Sequence, residues 1–384
     1  MEFKTGLYQL NKDENYNFQL NRLINWDGGD LDEVRQVADR IRSNSDWKRE
    51  LILLGDKAIR EGRTENAIAY YRMSEFFMAD QDPDKLRYYQ KGTALFYEYY
   101  RHYFEEQIVE KHSVAFEGAT LPVLHAPGRG TKKGAIVFHG GNDSYFEELF
   151  FPMLYFSEHG YDVYLFEGPG QGGVLREQGK KFIHMWERPV TAILDHFQLD
   201  QAILIGVSLG GMLAPRAAAF EKRISNVVAW SVFPNFFHVC VSDMPSGLRS
   251  FFEFLLKTNQ KRIVNSIMYG QMKKDPFMQW VFEHGMYAYG ADSPYGYLKK
   301  LNDFQMLDVA DRITQDVLIL HGKKDHFIDW QLYKEEIDSL IHARSITLRV
   351  FTEQEQASNH CQCGNTKLAL DTIISWLDTV RSPV

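Results

Sequence analysis

The stretch Gly-Val-Ser-Leu-Gly at residues 206–210 lies between an apolar run at 202–205 and a helix-forming run at 212–214. A serine in such a tight turn from strand to helix has a strained backbone, and glycines two positions before and after it leave room for the turn to close. The five-residue pattern alone would arise in roughly one random chain in ten of this length. Its place between a strand pattern and a helix pattern predicts that Ser208 presents its hydroxyl to a cleft.

A serine hydroxyl becomes an effective nucleophile with a histidine base, and that histidine needs a carboxylate to orient its ring. Residues 316–322 have the pattern of a buried strand, and Asp325 lies just past its end. Residues 345–351 have the alternating pattern of another strand, and His360 follows it in a polar loop. No other histidine follows that strand, so we take His360 as the candidate base and Asp325 as the candidate acid.

Two of these assignments have alternatives. Asp329 competes with Asp325 as the acid, because it follows shortly after it in the chain. We favour Asp325 because it comes directly off the strand at 316–322, whereas Asp329 lies past the apolar residues Phe327 and Ile328. The alternative interpretation of Ser208 is a serine that only caps the following helix.

A negatively charged oxygen that develops beside the serine needs two backbone N–H donors. Leu209, the residue after the serine, is expected to supply one of them. The second is expected from the glycine-rich stretch that follows the strand pattern at 134–139, where Asn142 and Asp143 are the candidate donors. Gly141 in the same stretch is a candidate substrate contact. The alternative is an ordinary turn that ends the strand.

The fold class follows from strand patterns that alternate with helical patterns. After an entry hairpin at 114–124, the strand patterns fall at 134–139, 161–166, 201–206, 225–232, 316–321 and 345–351. Such alternation predicts an α/β fold with an eight-stranded, mostly parallel sheet and helices on both faces. Ligands bind at the carboxyl ends of the strands in sheets of this kind, and the candidate serine and acid follow such ends.

Two helical regions supplement this sheet. The N-terminal third has helical periodicity, with helix starts marked by Asp30 and Asp82. We predict a helical domain over residues 1–112 and a catalytic domain over 113–384. A single compact core does not normally hold 384 residues, which agrees with an appended domain.

More than eighty residues separate the strand patterns at 225–232 and 316–321. This segment is too long for a simple crossover and is rich in aromatic residues. We predict that residues 234–312 form an inserted helical lid that closes an apolar cavity together with the N-terminal helices. Asp243 in this lid is a candidate substrate contact.

The composition restricts the partners. A net charge of −8 and a pI near 5.9 argue against nucleic acid and anionic membranes and favour a small-molecule substrate. Cys240, Cys361 and Cys363 form neither a disulfide framework nor a zinc-site spacing. With no apolar signal region at the start, a reducing cytoplasm is the expected setting. A homodimer is compatible with the sequence.

Four motifs together carry a family resemblance. They are Phe-His-Gly-Gly at 138–141, Leu-Phe-Glu-Gly-Pro-Gly-Gln-Gly at 165–172, Gly-Val-Ser-Leu-Gly-Gly at 206–211 and Asn-His-Cys at 359–361. Over roughly residues 30–380 the chain resembles the α/β hydrolases with an N-terminal helical domain. These include FrsA-type esterases, 2,6-dihydroxypseudooxynicotine hydrolase and fungal pigment hydrolases that shorten polyketides.

The resemblance implies a triad of Ser208, Asp325 and His360 that uses no metal or cofactor. It also implies hydrolysis of an ester or of a carbon–carbon bond next to a ketone. In the nicotine-pathway member an acidic lid residue assists carbon–carbon cleavage, and the corresponding region here offers Asp243 in place of a glutamate.

The expected function is therefore that of a serine hydrolase for a small, largely apolar ester or ketone. Two alternatives stand beside it: an amide hydrolase similar to acylaminoacyl peptidases, and a catalytically silent binding protein on the same fold. The N-terminal helices lack the repeated strands of a propeller, which counts against the peptidase alternative. The presence of all three triad residues counts against the silent one.

Overall fold

A single eight-stranded sheet forms the centre of the computed structural model, which describes residues 2–242 and 244–381. Its strands occur in the order β1-β2-β4-β3-β5-β6-β7-β8. They are β1 (Glu110–Phe116), β2 (Ala119–Ala126), β3 (Gly134–His139), β4 (Tyr161–Phe166), β5 (Ala202–Val207), β6 (Ile224–Trp230), β7 (Asp316–Gly322) and β8 (Ser345–Phe351). Strand β2 is antiparallel to β1 and β4, and the other pairs are parallel. The predicted mostly parallel sheet is confirmed.

The central strands are buried on both faces, which explains their continuous apolar runs. Every residue of β5 and β7 is buried. Successive side chains of β5 point to opposite faces, so Leu204 joins one hydrophobic cluster and Ile203 and Ile205 join the other. The sheet is thus the middle layer between two cores.

Six helices precede the sheet in the chain. They are α1 (Glu14–Asn25), α2 (Leu31–Ala38), α3 (Asn44–Arg60), α4 (Thr64–Ser74), α5 (Pro83–Tyr99) and α6 (Arg101–Glu105). The sequence patterns do not predict α1, although Asp13 caps it by accepting hydrogen bonds from the N–H groups of Asn15 and Tyr16. Helices α1 to α5 share a core of their own around Trp47 and Tyr70.

The next four helices are α7 (Phe146–Glu158), α8 (Gly172–Arg176), α9 (Glu187–His196) and α10 (Gly210–Phe220). Buried residues of α9 and α10 contribute to the cluster on the Leu204 face of the sheet, and those of α7 contribute to the opposite cluster. Both faces of the sheet are therefore covered by helices.

The described residues of the long insertion between β6 and β7 form five helices. They are α11 (Phe236–Val241), α12 (Ser246–Lys257), α13 (Lys261–Met272), α14 (Pro276–Tyr289) and α15 (Pro294–Asp303). We call this insertion, residues 234–312, the lid. Its buried aromatic residues belong to the same cluster as α9 and α10, so the lid packs as a continuation of the main core. The candidate Asp243 lies outside the described residues.

The last helices in the described part of the chain are α16 (Tyr333–Ser339) and α17 (Thr366–Arg381), and α17 packs on the same face of the sheet as α7. Short 3-10 helices occur at Ala310–Arg312, Trp330–Leu332, Glu353–Glu355 and His360–Asn365. None of the helices in the described part of the chain has the length and apolar character needed to cross a membrane.

Candidate active site

Ser208 occupies the sharp turn between β5 and α10 with a φ of 61°. This left-handed conformation is strained for a residue with a Cβ, and the neighbouring backbone holds it in place. The N–H of Ser208 donates to the carbonyl of Trp230 at 3.1 Å, and the Ser208 carbonyl accepts from Gly211 at 2.7 Å. A Cβ at Gly206 would overlap the carbonyl oxygen of Gly210, so the turn requires glycine there.

The structure brings Ser208, His360 and Asp325 into one hydrogen-bonded row. The distance from Ser208 Oγ to His360 Nε2 is 2.9 Å, and that from His360 Nδ1 to Asp325 Oδ2 is 2.6 Å. A carboxylate only accepts, so Nδ1 carries the proton. In the neutral ring Nε2 is then the acceptor for the serine hydroxyl. This arrangement can remove the proton from Ser208 during attack on a carbonyl.

Burial and charge act against each other in the Asp325–His360 pair. Burial alone would lower the pKa of the His360 imidazole, but the Asp325 carboxylate outweighs that effect and raises the pKa. Burial would likewise raise the pKa of Asp325, but the positive charge of His360 lowers it. Both shifts favour the ion pair, which is the state that would form if His360 took a proton from the serine.

The backbone orients the Asp325 carboxylate, whose Oδ1 accepts from the N–H groups of Phe327 at 2.9 Å and Ile328 at 3.2 Å. Its side chain is 1% exposed, so water does not compete for these bonds. The alternative acid, Asp329, instead caps a short 3-10 helix by accepting from the N–H of Gln331 at 3.0 Å. The two aspartates therefore have different structural settings.

Leu209, Asn142 and Asp143 line the same cavity as Ser208. Within the described residues, the N–H groups of these three have no hydrogen-bond acceptor. The N–H of Gly141 differs, because it donates to Ser144 Oγ at 2.9 Å. A Cβ at Gly141 would lie 2.5 Å from the Leu209 nitrogen, so glycine at this position keeps the space beside that donor open.

The glycine-rich loop after β4 supports the loop after β3. Gln171 Nε2 donates to the carbonyls of Gly140 at 2.9 Å and Gly141 at 3.0 Å, and its Oε1 accepts from the N–H of Gly168. The glutamine is 1% exposed. This contact gives the glutamine of the Gly-Pro-Gly-Gln-Gly motif a role that the sequence alone does not reveal.

A cavity of about 380 Å³ opens above Ser208. Seven aromatic side chains of the lid line this cavity: Phe236, Phe237, Phe252, Phe277, Trp280, Phe282 and Tyr297. Aliphatic and sulfur-containing side chains of the lid also line it, namely Val239, Cys240, Val241, Met244, Met268, Met278, Val281, Leu298 and Leu301. The lining of the cavity next to the serine is therefore mainly apolar.

Helix α1 contributes a wall that the sequence patterns do not predict. Phe18, Gln19 and Arg22 from this helix line the cavity, and the Phe18 ring lies 5.8 Å from the ring of His360. Arg22 pairs with Glu148 at 2.5 Å and is itself buried. The cap at Asp13 and the apolar spacing after it were the signals that could have located this helix.

A family model for the alpha/beta hydrolase fold matches residues 136–363, more than half of the sequence. Hydrolase acrC of Aspergillus aculeatus is 28% identical over 306 residues, which cover 72% of this chain and 70% of that protein. The 20-hydroxy-prefusarin hydrolase FUS2 of Gibberella moniliformis is 29% identical over 199 residues, or 48% of this chain and 46% of that protein.

Among solved structures, 2,6-dihydroxy-pseudo-oxynicotine hydrolase shares the fold with a TM-score of 0.63 at 20% identity. The match covers 93% of this chain and 94% of that protein, so it includes the N-terminal helices as well as the sheet. Together with the family match, it confirms the resemblance inferred from the four sequence motifs.

Proposed function

The chain belongs to the alpha/beta hydrolase fold family and is a hydrolase, and we propose that it uses Ser208, His360 and Asp325 to cleave a small, largely apolar ester or ketone. The observation that carries this proposal is the hydrogen-bonded row from Ser208 Oγ to Asp325 beneath an apolar cavity. A silent binding protein would not need a serine, a base and an acid in this order.

In the proposed reaction, Ser208 Oγ attacks the substrate carbonyl carbon while His360 Nε2 takes the hydroxyl proton. The charge on the carbonyl oxygen is stabilised by the N–H of Leu209 together with that of Asn142 or Asp143. His360 then gives its proton to the leaving group, an alkoxide from an ester or an enolate from a ketone. A water molecule, activated by His360, releases the acid from Ser208 and restores the enzyme.

The lining of the cavity supports an apolar substrate. The charged side chains there are held by protein partners, since Arg22 pairs with Glu148 and Asp143 pairs with His284. Burial of apolar surface is then the main source of substrate binding energy. Each methylene buried contributes about 0.8 kcal/mol, which corresponds to about a fourfold gain in affinity.

The apolar lining of the cavity leads to the first prediction. For p-nitrophenyl esters of increasing acyl length, we expect kcat/KM to rise by about fourfold per methylene until the cavity is full. The same panel, extended to aryl ketones and aminoacyl amides, separates the ester and ketone reactions from the amide alternative. A preference for charged aminoacyl amides over apolar esters would contradict the proposed substrate class.

Labelling with a fluorophosphonate probe tests the nucleophile directly. We expect the probe to modify Ser208, as identified by peptide mass spectrometry, and we expect His360→Ala to lose this labelling because the base is gone. A well-folded protein that is neither labelled nor active on any of the three substrate types would support the silent binding protein instead.

A further inference from the structure

A buried histidine in the lid connects three separate parts of the chain. His284 of α14 lies with Nε2 2.6 Å from Asp143 Oδ1, in the loop after β3, and with Nδ1 3.0 Å from Asp80 Oδ1, between α4 and α5. The three side chains are 6%, 17% and 4% exposed. Because carboxylates only accept, both ring nitrogens donate and the ring is an imidazolium.

The partner Asp143 belongs to the loop that carries the proposed oxyanion donors. Its backbone has a φ of 55°, an uncommon conformation for a residue other than glycine. Its Oδ2 accepts from Asn142 Nδ2 at 2.7 Å, and its carbonyl accepts from Arg22 at 3.1 Å. Tyr289, also on α14, donates its hydroxyl to Asn142 Oδ1 at 2.9 Å. Helix α14 therefore holds two consecutive residues of this loop.

We propose that His284 is a positioning residue for the reaction: through Asp143 it sets the direction of the oxyanion-binding N–H groups. The oxyanion site is then complete only when α14 and the segment carrying Asp80 are docked on the loop after β3. This inference rests on the proposed function and adds to it that the lid and the N-terminal helices both act on the rate of the chemical step.

The contacts of His284 with Asp143 and Asp80 are expected to hold only within a defined pH range. Burial alone would lower the pKa of His284, but Asp143 and Asp80 outweigh it and raise the pKa to about 9. Burial would raise the pKa of Asp143, but His284 lowers it to about 2. The other charged or titratable groups that face this cluster are Lys85, 4.0 Å from Asp80, and Arg22, Arg176, Lys181, Tyr287, Tyr289 and Tyr297.

His284 has a raised pKa, so its stabilisation of the docked arrangement is fully present below its ordinary pKa of 6.5. This stabilisation is lost as the pH rises through about 9. Asp143 has a lowered pKa, so its stabilisation of the docked arrangement is lost only as the pH falls through about 2. We therefore expect kcat to decline above about pH 9, as His284 loses its second proton and one carboxylate loses its donor.

The second prediction concerns His284→Gln, which keeps a hydrogen-bonding side chain and removes the charge and one donor direction. We expect kcat for a p-nitrophenyl ester to fall by about 100-fold with KM changed less than about threefold, since misdirected donors affect the transition state and not the bound ester. Affinity for a trifluoromethyl ketone, whose adduct has an oxyanion, should fall by a similar factor. The decline of kcat above pH 9 should disappear.

His238→Gln is the matched control. His238 is also a lid histidine paired with a carboxylate, Glu335 at 2.9 Å, but it lies away from the cavity lining. We expect its kcat, KM and pH profile to match the unmodified protein. Asp80→Asn is the second variant, which keeps the contact of His284 with Asp143 and should move the alkaline decline to lower pH.

The outcomes separate this inference from the proposed function. If the unmodified protein is not labelled at Ser208 and does not turn over, the proposed function fails. If it is labelled and active, but His284→Gln keeps kcat, ketone affinity and the alkaline decline, only the role of His284 is overturned. Should His284→Gln not fold, an unchanged pH profile in Asp80→Asn would overturn it equally.

An independent cluster lies on the β1–β2 hairpin at the edge of the sheet. Glu110 pairs with His125 across the two strands, and His112 follows two residues later on the same face of β1. Glu110 Oε2 is 3.2 Å from His112 Nε2 and 3.2 Å from His125 Nδ1. The three ligand atoms all lie within 4.8 Å of one another.

We infer that this hairpin binds a first-row divalent cation such as Zn²⁺. Zinc bonds of about 2.1 Å in a tetrahedral arrangement place ligand atoms about 3.4 Å apart, which fits the observed separations from Glu110. Two imidazoles and a carboxylate are a donor set that suits Zn²⁺, Ni²⁺ or Cu²⁺. The ring of His125 stacks on Tyr164 at 4.4 Å and 6°, so one ligand is already oriented.

The third prediction is tested by titrating Zn²⁺ into the full chain by calorimetry. We expect one site per chain that His112→Gln weakens by at least about tenfold and that His342→Gln, a change at an exposed histidine elsewhere, leaves unchanged. The melting temperature should rise with Zn²⁺ in the unmodified protein and not in His112→Gln. Equal Zn²⁺ binding by both variants, or none by the unmodified protein, would overturn the inference.

Discussion

Ser208→Ala is expected to lower kcat by ~10⁴-fold or more while the protein stays folded. Oγ is the atom that forms the proposed acyl intermediate, and alanine removes it without adding a group. The Ser208 side chain has one hydrogen-bond partner in the described part of the chain, His360, so its loss changes the free energy of unfolding by about 1 kcal/mol. Alanine keeps a Cβ, so the strain at the φ of 61° is unchanged.

The measurement is kcat on the best ester of the panel, with thermal unfolding of the same preparation. Ser231→Ala is the matched control, because Ser231 is also buried and lies directly after β6, next to the turn, without a place in the hydrogen-bonded row. We expect it to keep most of the activity. More than a few per cent of activity in a clean Ser208→Ala preparation, or continued fluorophosphonate labelling, would refute the covalent mechanism.

Asp325→Asn is expected to cost about 10³–10⁴ in kcat with little loss of stability. The asparagine side chain presents either an amide N–H or a neutral oxygen to His360 Nδ1. The amide N–H favours the imidazole tautomer that carries its proton on Nε2, and this tautomer cannot take the proton of Ser208. The neutral oxygen no longer stabilises the imidazolium. The backbone donors of Phe327 and Ile328 still find an acceptor, so the local fold is kept.

Asp329→Asn is the control for the choice of acid. Asparagine is as good a helix cap as aspartate, and the contact that Asp329 makes is with the N–H of Gln331. We expect kcat within about threefold of the unmodified protein and a stability change below about 1 kcal/mol. Steady-state kinetics of both variants decide the question: a larger loss in Asp329→Asn than in Asp325→Asn would show that the acid is assigned wrongly.

Much of the fold is predictable from local patterns. Strands β3 to β8 lie within one or two residues of the predicted ranges, because burial on both faces demands long apolar runs that are visible in the sequence. The helix α1 is different. Its buried face is defined by contacts with other helices and with the segment that carries His360, so its stability depends on partners that are distant in the chain.

The candidate triad is also predictable, for a related reason. Ser208, Asp325 and His360 each follow a strand, and the carboxyl ends of parallel strands meet at one edge of the sheet. Chain order and strand ends are local properties. The roles of these residues remain a proposal, which Ser208→Ala and Asp325→Asn test.

The contacts around the triad could be identified only from the tertiary structure. Gln171 holds Gly140 and Gly141, Arg22 holds Asp143, and His284 joins Asp143 to Asp80, over separations of 30 to 204 residues along the chain. A side chain such as His284 has no distinctive neighbours in the sequence, so nothing there marks it as functional.

The sequence by itself determined the sheet, the order of its strands along the chain and the three residues at its carboxyl edge, because periodicity and strand ends depend on near neighbours. The tertiary structure decided which helices close the cavity, which lid aromatics face it and what holds the loop after β3. Those features depend on how distant segments pack, and packing is a property of the whole core and not of any one segment.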